Sequence, residues 1–249
     1  SPAGVNNGDG TWSFTQEQAE VLCIRAPKDS NEDFNLSITA TTTEADGGDQ
    51  TSVDFDLPVT ITGVADNVNL QTNNATGSED SAIDLEISAA LGDLDGSESL
   101  DIIISGVPEG AQLSSGTDNG DGTWSLSPSD LEGLSVTPAS NSDEDFSLTV
   151  QATATENDGD TSTSIATIEV DVTGVADTPI VNIEAASGFE DQWIQLDISS
   201  SLTDTDGSES LSFTISDVPE GMLFSPAGVN NGDGTWSFTQ EQAEVLCIR

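Results

Sequence analysis

Residues 143–177 read DEDFSLTVQATATENDGDTSTSIATIEVDVTGVAD. Leu148, Val150 and Ala152 alternate with Thr149 and Gln151, the two-residue period of a strand with one face buried. After Asn157-Asp158-Gly159 a second run carries Ile165, Ile168, Val170 and Val172, its phase slipping once near Ala166. Asn, Asp and Gly tolerate the backbone angles of a tight turn, so the two runs read as the arms of a hairpin.

The same grammar extends outward. Ile83, Leu85 and Ile87 alternate with Asp84 and Glu86. Thr and Ser fill the opposite positions, which suits a solvated β face. Pro108-Glu109-Gly110 and Asn119-Gly120-Asp121-Gly122 mark further turns. No segment holds a sustained helical period; only Pro128–Leu134 and Thr15–Leu22 leave room for a single helical turn. Seven or eight short strands in about 110 residues predict an all-β fold, an Ig-like or cadherin-like Greek-key β-sandwich. Trp12, Trp124 and Trp236 each follow an NGDGT turn and are expected at the core or its edge. Trp193 stands where the matching position holds Ala82 and is expected to mark a packing difference.

Self-similarity then sets the organisation. Residues 1–25 recur unchanged at 225–249. Inexact copies lie at about half that distance: GVAD at 63–66 and 174–177, DGSESL at 95–100 and 206–211, NEDF at 31–34 and DEDF at 143–146, TEADGGD at 43–49 and TENDGD at 155–160. The unit is about 110 residues, and two unit types alternate. The expected division is 1–62, the later part of one sandwich; 63–174, a complete one; and 175–249, the earlier part of another. The chain reads as a segment of a longer array, with completion of the partial modules by other copies as the alternative.

Charge narrows the function. Forty-six acidic residues oppose three basic ones, Arg25, Lys28 and Arg249, for a net charge of −43. Nucleic acid and anionic membrane surfaces would repel such a chain. There is no His, so the usual general base is missing. Paired carboxylates in repeated turns read as ligands rather than a catalytic dyad, and no enzyme is expected. No apolar run approaches the ~18–20 residues of a membrane-spanning helix.

The acids gather in turns: Glu79-Asp80, Asp93-x-Asp95-Gly-x-Glu98, Asp143-Glu144-Asp145 and Glu156-x-Asp158-Gly-Asp160. A generally acidic surface would scatter them along strand faces, where Thr and Ser prevail. A preference of Asp for turns explains single residues but not matched clusters. Calcium takes ~6–8 oxygen ligands and suits this chemistry. The spacing is not that of an EF-hand. In a seven-strand sandwich successive loops alternate between ends, so stacked modules bring acids from two ends together. One joint is expected to combine Glu79, Asp80, Glu144, Asp145 and Asp177 with Asp204, Asp206 and Glu209. The other combines Glu32, Asp33 and Asp66 with Asp93, Asp95, Glu98, Glu156 and Asp158. Asp160 and the counterparts Glu44, Asp46, Asp49, Glu190 and Asp191 complete the candidates for Ca2+.

The order GVAD, EDSAIDLEIS, DLDGSESL, GVPEGAQLS, NGDGTWSL, LEGLSVTP, DEDFSLTVQATATENDGDT, VTGVAD resembles the extender repeats of giant RTX-type bacterial adhesins, and the resemblance covers the whole chain. It implies a type I-secreted protein at the surface of a Gram-negative bacterium. In it the repeats hold a distal binding domain away from the cell, calcium stiffens the joints, and adhesion and biofilm formation follow. The joint chemistry is similar to that of cadherins. EVLCIRAP at 20–27 departs from EGLSVTPA at 132–139. Alternation points Cys23 and its copy Cys247 away from the core, so an intermolecular thiol bridge and a tolerated small residue both remain open. Two readings of function are carried forward: an extender stalk, and a filament or matrix polymer joined between chains.

Overall fold

The structure is a computed structural model that describes residues 4–249. It is all-β: strands make up nearly every element. Helix is limited, among the described residues, to the single turns Gln16–Ala19 and Gln240–Ala243 and the 3-10 turn Pro128–Leu131. Thr15 and Thr239 cap the first two, each accepting from the backbone N–H of the Gln three residues on while that Gln side chain reaches back, a reciprocal capping box. No helix of the described residues is long and apolar enough to cross a membrane.

The chain forms two compact units. The first comprises the described residues up to Leu70 together with Ala89–Ile102 and Gln151–Ile165; the second comprises Gln71–Ser88, Ile103–Val150 and Ala166–Arg249.

The second unit holds a β-sandwich core. One layer is a three-stranded antiparallel sheet of Gln112–Leu113, Ser135–Thr137 and Ile83–Asp84. The other layer belongs to a six-stranded sheet in the order Thr117–Asp118, Thr123–Leu126, Glu98–Ser105, Phe146–Glu156, Thr161–Thr173, Ala75–Ser78. Its last strand runs parallel to its neighbour, Val170 opposite Ala75. Ile83, Leu113 and Val136 from the first layer and Ile104, Leu126, Leu148, Val150, Ile168 and Val170 from the second are all buried, one side chain in two along each strand. Burial alternates without a break along Thr161–Thr173, the even-numbered positions facing inward. The phase slip expected near Ala166 is absent, and Ile165 is an apolar residue on the exposed face. The layers meet closely at Gly77, where a Cβ would stand 2.5 Å from Ile83 Cγ1; Gly188 and Ile194 repeat the arrangement at 2.4 Å.

The strands of residues 63–174 outnumber the seven or eight expected, in part because two of them break. Asn69–Thr72 and Ala75–Ser78 are separate, as are Ile83–Asp84 and Ile87–Ala90. Asn73 sits at the first break, its backbone N–H donating to Glu86 O at 3.2 Å and its side chain to Glu86 Oε2 at 2.7 Å.

Residues 175–249 of this unit carry a second, smaller core around Phe224, Phe238 and Leu246. Phe224 packs edge-on to Phe238 at 5.0 Å and tilted against Trp236 at 5.3 Å. Trp124 and Trp236 are half-buried, whereas Trp12 is exposed. Trp193 is answered by Arg249, whose guanidinium lies 4.9 Å from the ring centroid. The two residues that look foreign to an acidic repeat therefore belong together. In the first unit the dominant element is the long hairpin of Phe34–Thr43 and Gln50–Val59.

Candidate metal centre

A chain leaving a sheet carries backbone N–H groups with no ladder partner, and these must be satisfied. In the first unit carboxylates do this along residues 61–66. Ile61 donates to Asp33 Oδ1 at 2.8 Å, Gly63 to Asp158 Oδ2 at 2.9 Å, Ala65 to Asp160 Oδ2 at 3.0 Å and Asp66 to Glu98 Oε1 at 2.7 Å. Such charge-assisted bonds are stronger than neutral ones.

The Asp93-x-Asp95-Gly-x-Glu98 stretch is a double turn. Asp95 N–H donates to Asp93 Oδ1 at 2.7 Å and Ser97 N–H to Asp95 Oδ1 at 2.8 Å, with Gly96 at φ +95°. Gly is the residue that takes this backbone readily. The hydroxyl and then the backbone N–H of Ser97 hold the Asp95 carboxyl below its ordinary value. The turn buries Asp93 and delivers Glu98 as the first residue of a strand. Glu156 is also buried; its oxygens accept from Ser97 Oγ and Asn31 Nδ2, each at 3.2 Å. Asp29, Asn31, Gly63, Asp66, Asp93 and Glu156 line a cavity of about 210 Å³. Lys28 pairs with Asp29; that bond, and then the charges of Asp66 and Asp93, hold its ammonium above its ordinary value.

The second unit repeats the pattern with other partners. Asp206 N–H donates to Asp204 Oδ1 at 2.8 Å and Ser208 N–H to Asp206 Oδ1 at 2.7 Å. Val172 N–H donates to Asp145 Oδ1 at 2.8 Å and Asp177 N–H to Glu209 Oε1 at 2.5 Å, matching Ile61 to Asp33 and Asp66 to Glu98. Val175 N–H donates to Glu79 Oε1 at 2.5 Å. Glu79, Asp204 and Asp206 bring carboxylate oxygens within 4.8 Å of one another, with Glu79 and Asp204 buried and Asp206 exposed. The Asp206 carboxyl is held below its ordinary value, first by the backbone and hydroxyl of Ser208 and then by Asp143.

Among the described residues, three carboxylate oxygens are buried without a hydrogen-bond partner: Glu79 Oε2, Glu98 Oε2 and Glu209 Oε2. Glu98 and Glu209 occupy the same repeat position. Leaving a buried charged oxygen unpaired is costly. The other oxygen of each glutamate is taken by a linker N–H, so the orphan atom faces a demand that a cation would meet. The donor set is all oxygen, which fits a hard ion such as Ca2+.

Not every candidate joins these groups. Asp80, at φ +53°, turns aside to accept from Asn141 N–H at 3.0 Å and Ser140 Oγ at 3.3 Å. Glu144 is exposed, whereas its neighbour Asp143 lies against Gly174, a Cβ there standing 3.3 Å from Asp143 Oδ2. Asp143 belongs to the acidic turn Asp143-Glu144-Asp145 but was left out of the expected joint ligands; its contrast with Asn31 at the matching position was the available signal. Glu32, Glu44, Asp46, Asp49, Glu190 and Asp191 are all exposed, Glu44 to Asp49 forming the tip of the first-unit hairpin. Cys23 is exposed and Cys247 half-buried, both as free thiols.

No protein-family model matches the chain, and no curated protein matches it. Among solved structures, murine CEACAM1b aligns over 69% of this chain and 85% of its own, at 12% identity and a TM-score of 0.25. The surface layer protein SbsC, domains 4–9, aligns over 91% of this chain and 38% of its own, at 9% identity and a TM-score of 0.27. Both likenesses are too distant to argue from.

Proposed function

We propose that this chain is an extender segment of a secreted bacterial surface adhesin, stiffened by Ca2+ held where successive modules meet. The Glu79 carboxylate carries the reading: one of its oxygens is buried without a partner, the other grips the Val175 backbone, and the group lies with Asp204 and Asp206. Glu79 and Asp204, with Asp206 and the Glu209 oxygen beside Asp177, would hold one ion; Asp93, Glu98, Glu156 and Asp66 would hold its counterpart. The role is mechanical. The carboxylates grip linker N–H groups on one side and the ion on the other, so the linker direction is fixed only while the ion is bound. The net charge of −43 would otherwise favour expansion.

The resemblance to RTX-type extender repeats supports placement at the surface of a Gram-negative bacterium, with adhesion and biofilm formation as the larger task. Neighbouring repeats are the partners, and no catalysis is assigned. The test is thermal unfolding together with small-angle scattering, in calcium and in chelator. Chelation is expected to lower the melting temperature and broaden the distribution of overall dimensions. Identical curves in both buffers would end the calcium reading.

A further inference from the structure

The two repeat types differ at one turn beside the acidic groups. Lys28-Asp29-Ser30-Asn31 in the first unit stands at the repeat position of Ser140-Asn141-Ser142-Asp143 in the second, each leading into Glu-Asp-Phe. Lys28 offsets Asp29 in the first turn, whereas Asp143 is the sole charge of the second, so the second turn is more negative by one unit.

Both turns lie against the glycine of a GVAD linker. A Cβ on Gly63 would stand 3.2 Å from Asn31 Nδ2 and 2.8 Å from Glu156 Oε2. A Cβ on Gly174 would stand 3.3 Å from Asp143 Oδ2 and 3.6 Å from Glu79 Oε1. The residue at this repeat position therefore flanks its glycine together with a buried glutamate each time.

What it brings to that glutamate differs. Asn31 turns its amide nitrogen to Glu156 Oε2 at 3.2 Å, and Ser97 Oγ donates to the other oxygen at the same distance. Glu156 is thus satisfied by donors of the chain itself, and an ion there competes with an amide. Lys28 adds an ammonium, paired with Asp29, which lines the same cavity as Asn31 and Glu156. Asp143 instead brings a second carboxylate to Glu79, whose Oε2 is buried without a partner. After Ser208, Asp143 also helps to hold the Asp206 carboxyl below its ordinary value. Asp143 therefore joins the group of Glu79, Asp204 and Asp206.

Calcium affinity depends on ligand charge as well as ligand number, and Asn31 can ligate through Oδ1 only as a neutral group. Lys28 is 81% exposed, so its repulsion is screened and secondary. The exchange of carboxylate for amide dominates.

We infer that the residue at position 31 or 143 sets the calcium affinity of its site, so that the second-unit site fills at lower calcium than the first-unit site. Where the two repeat types alternate, every second linker stiffens first, and calcium grades the stiffness instead of switching it at one concentration. The inference rests on the calcium reading above.

Backbone amides report each site separately. Gly63 and Asp66 donate to Asp158 and Glu98, while Val175 and Asp177 donate to Glu79 and Glu209. In the isotope-labelled whole chain titrated with calcium chloride, the resonances of Val175 and Asp177 are expected to shift at a midpoint roughly tenfold below that of Gly63 and Asp66, for one ligand charge. Asn31→Asp with Lys28→Ser should bring the Gly63 and Asp66 midpoint down and leave the other pair in place. Asp143→Asn with Ser140→Lys should raise the midpoint of Val175 and Asp177 alone. The single exchanges Asn31→Asp and Asp143→Asn should show most of each effect, so the result does not hang on a double variant folding. Coincident midpoints in the unaltered chain, or exchanges that leave their own pair unmoved, overturn the inference while calcium binding stands. Amides that ignore calcium at both linkers overturn it together with the calcium reading.

Discussion

Glu79→Gln should change stability in opposite directions with and without calcium. Glu79 and Asp204 are 3% and 2% exposed, and their closest carboxylate oxygens lie within 4.8 Å. At an effective dielectric of ~20, two unit charges at that separation repel by about 3.5 kcal/mol. That is a large fraction of a typical net stability of ~5–15 kcal/mol. The backbone N–H groups that both carboxylates accept from offset some of it, so the amide substitution should stabilise the calcium-free protein by about 1–3 kcal/mol. With calcium bound the sign reverses. A carboxylate ligand and its charge are lost, and affinity depends on ligand charge count, so binding should weaken by roughly tenfold or more. For a unit of this size each kcal/mol is worth about 2–4 °C of melting temperature. Scanning calorimetry of both proteins in chelator and in saturating calcium, with calorimetric titration of the ion, reads both effects. A shift of the same sign in both buffers would refute the argument that these carboxylates are held together for a cation.

Gly77→Ala should cost about 1–3 kcal/mol through overpacking, because its Cβ would stand 2.5 Å from Ile83 Cγ1; denaturant unfolding measures this, and Ile83→Ala in the same chain should recover part of the loss. Asp143→Asn should weaken calcium binding, while Glu144→Gln, at an exposed neighbour, should leave it unchanged in the same titration. Asp95 and Asp206 have folded-state pKa values below the ordinary carboxylate value. Their contribution is therefore complete above about pH 4 and is lost as pH falls through the folded values. Acid unfolding in chelator should thus show a shallower low-pH limb in Asp95→Asn with Asp206→Asn. Arg249→Ala removes the cation 4.9 Å above Trp193 and should cost ~0.5–1 kcal/mol, with a change in tryptophan fluorescence that Arg25→Ala does not reproduce.

The sandwich could be read in advance because its strands alternate strictly and its turns carry Asn, Asp and Gly. Ile165 misled that reading: an apolar side chain on the outer face looked like a change of phase, while the strand keeps its two-residue period through Ala166. The break at Asn73 was not visible. It depends on a partner, Glu86, that only the folded chain supplies. At the acidic clusters the sequence located the loops but not the orientation within them. Asp80 turns away because its backbone adopts positive φ, and Asp143 rather than Glu144 faces Gly174 because of how that turn is set. Side-chain direction in a turn is decided by dihedral angles, on which a run of three acids is silent. Trp193 and Arg249 were each noticed as departures; their contact needed the pairing of Ile194–Gln195 with Cys247–Ile248.

Along 61–66, four backbone N–H groups are each assigned to a carboxylate from a different place: Asp33, Asp158, Asp160 and Glu98. Inserting or deleting one residue there would hand every downstream N–H to the wrong acceptor, and no local adjustment could restore all of them. The hairpin tip has no such bookkeeping, and Gly48, the extra residue of TEADGGD relative to TENDGD, sits there. The repeat therefore has a fixed-length element and an elastic one. Length variants introduced at the tips should fold, and single-residue variants in the GVAD linker should not.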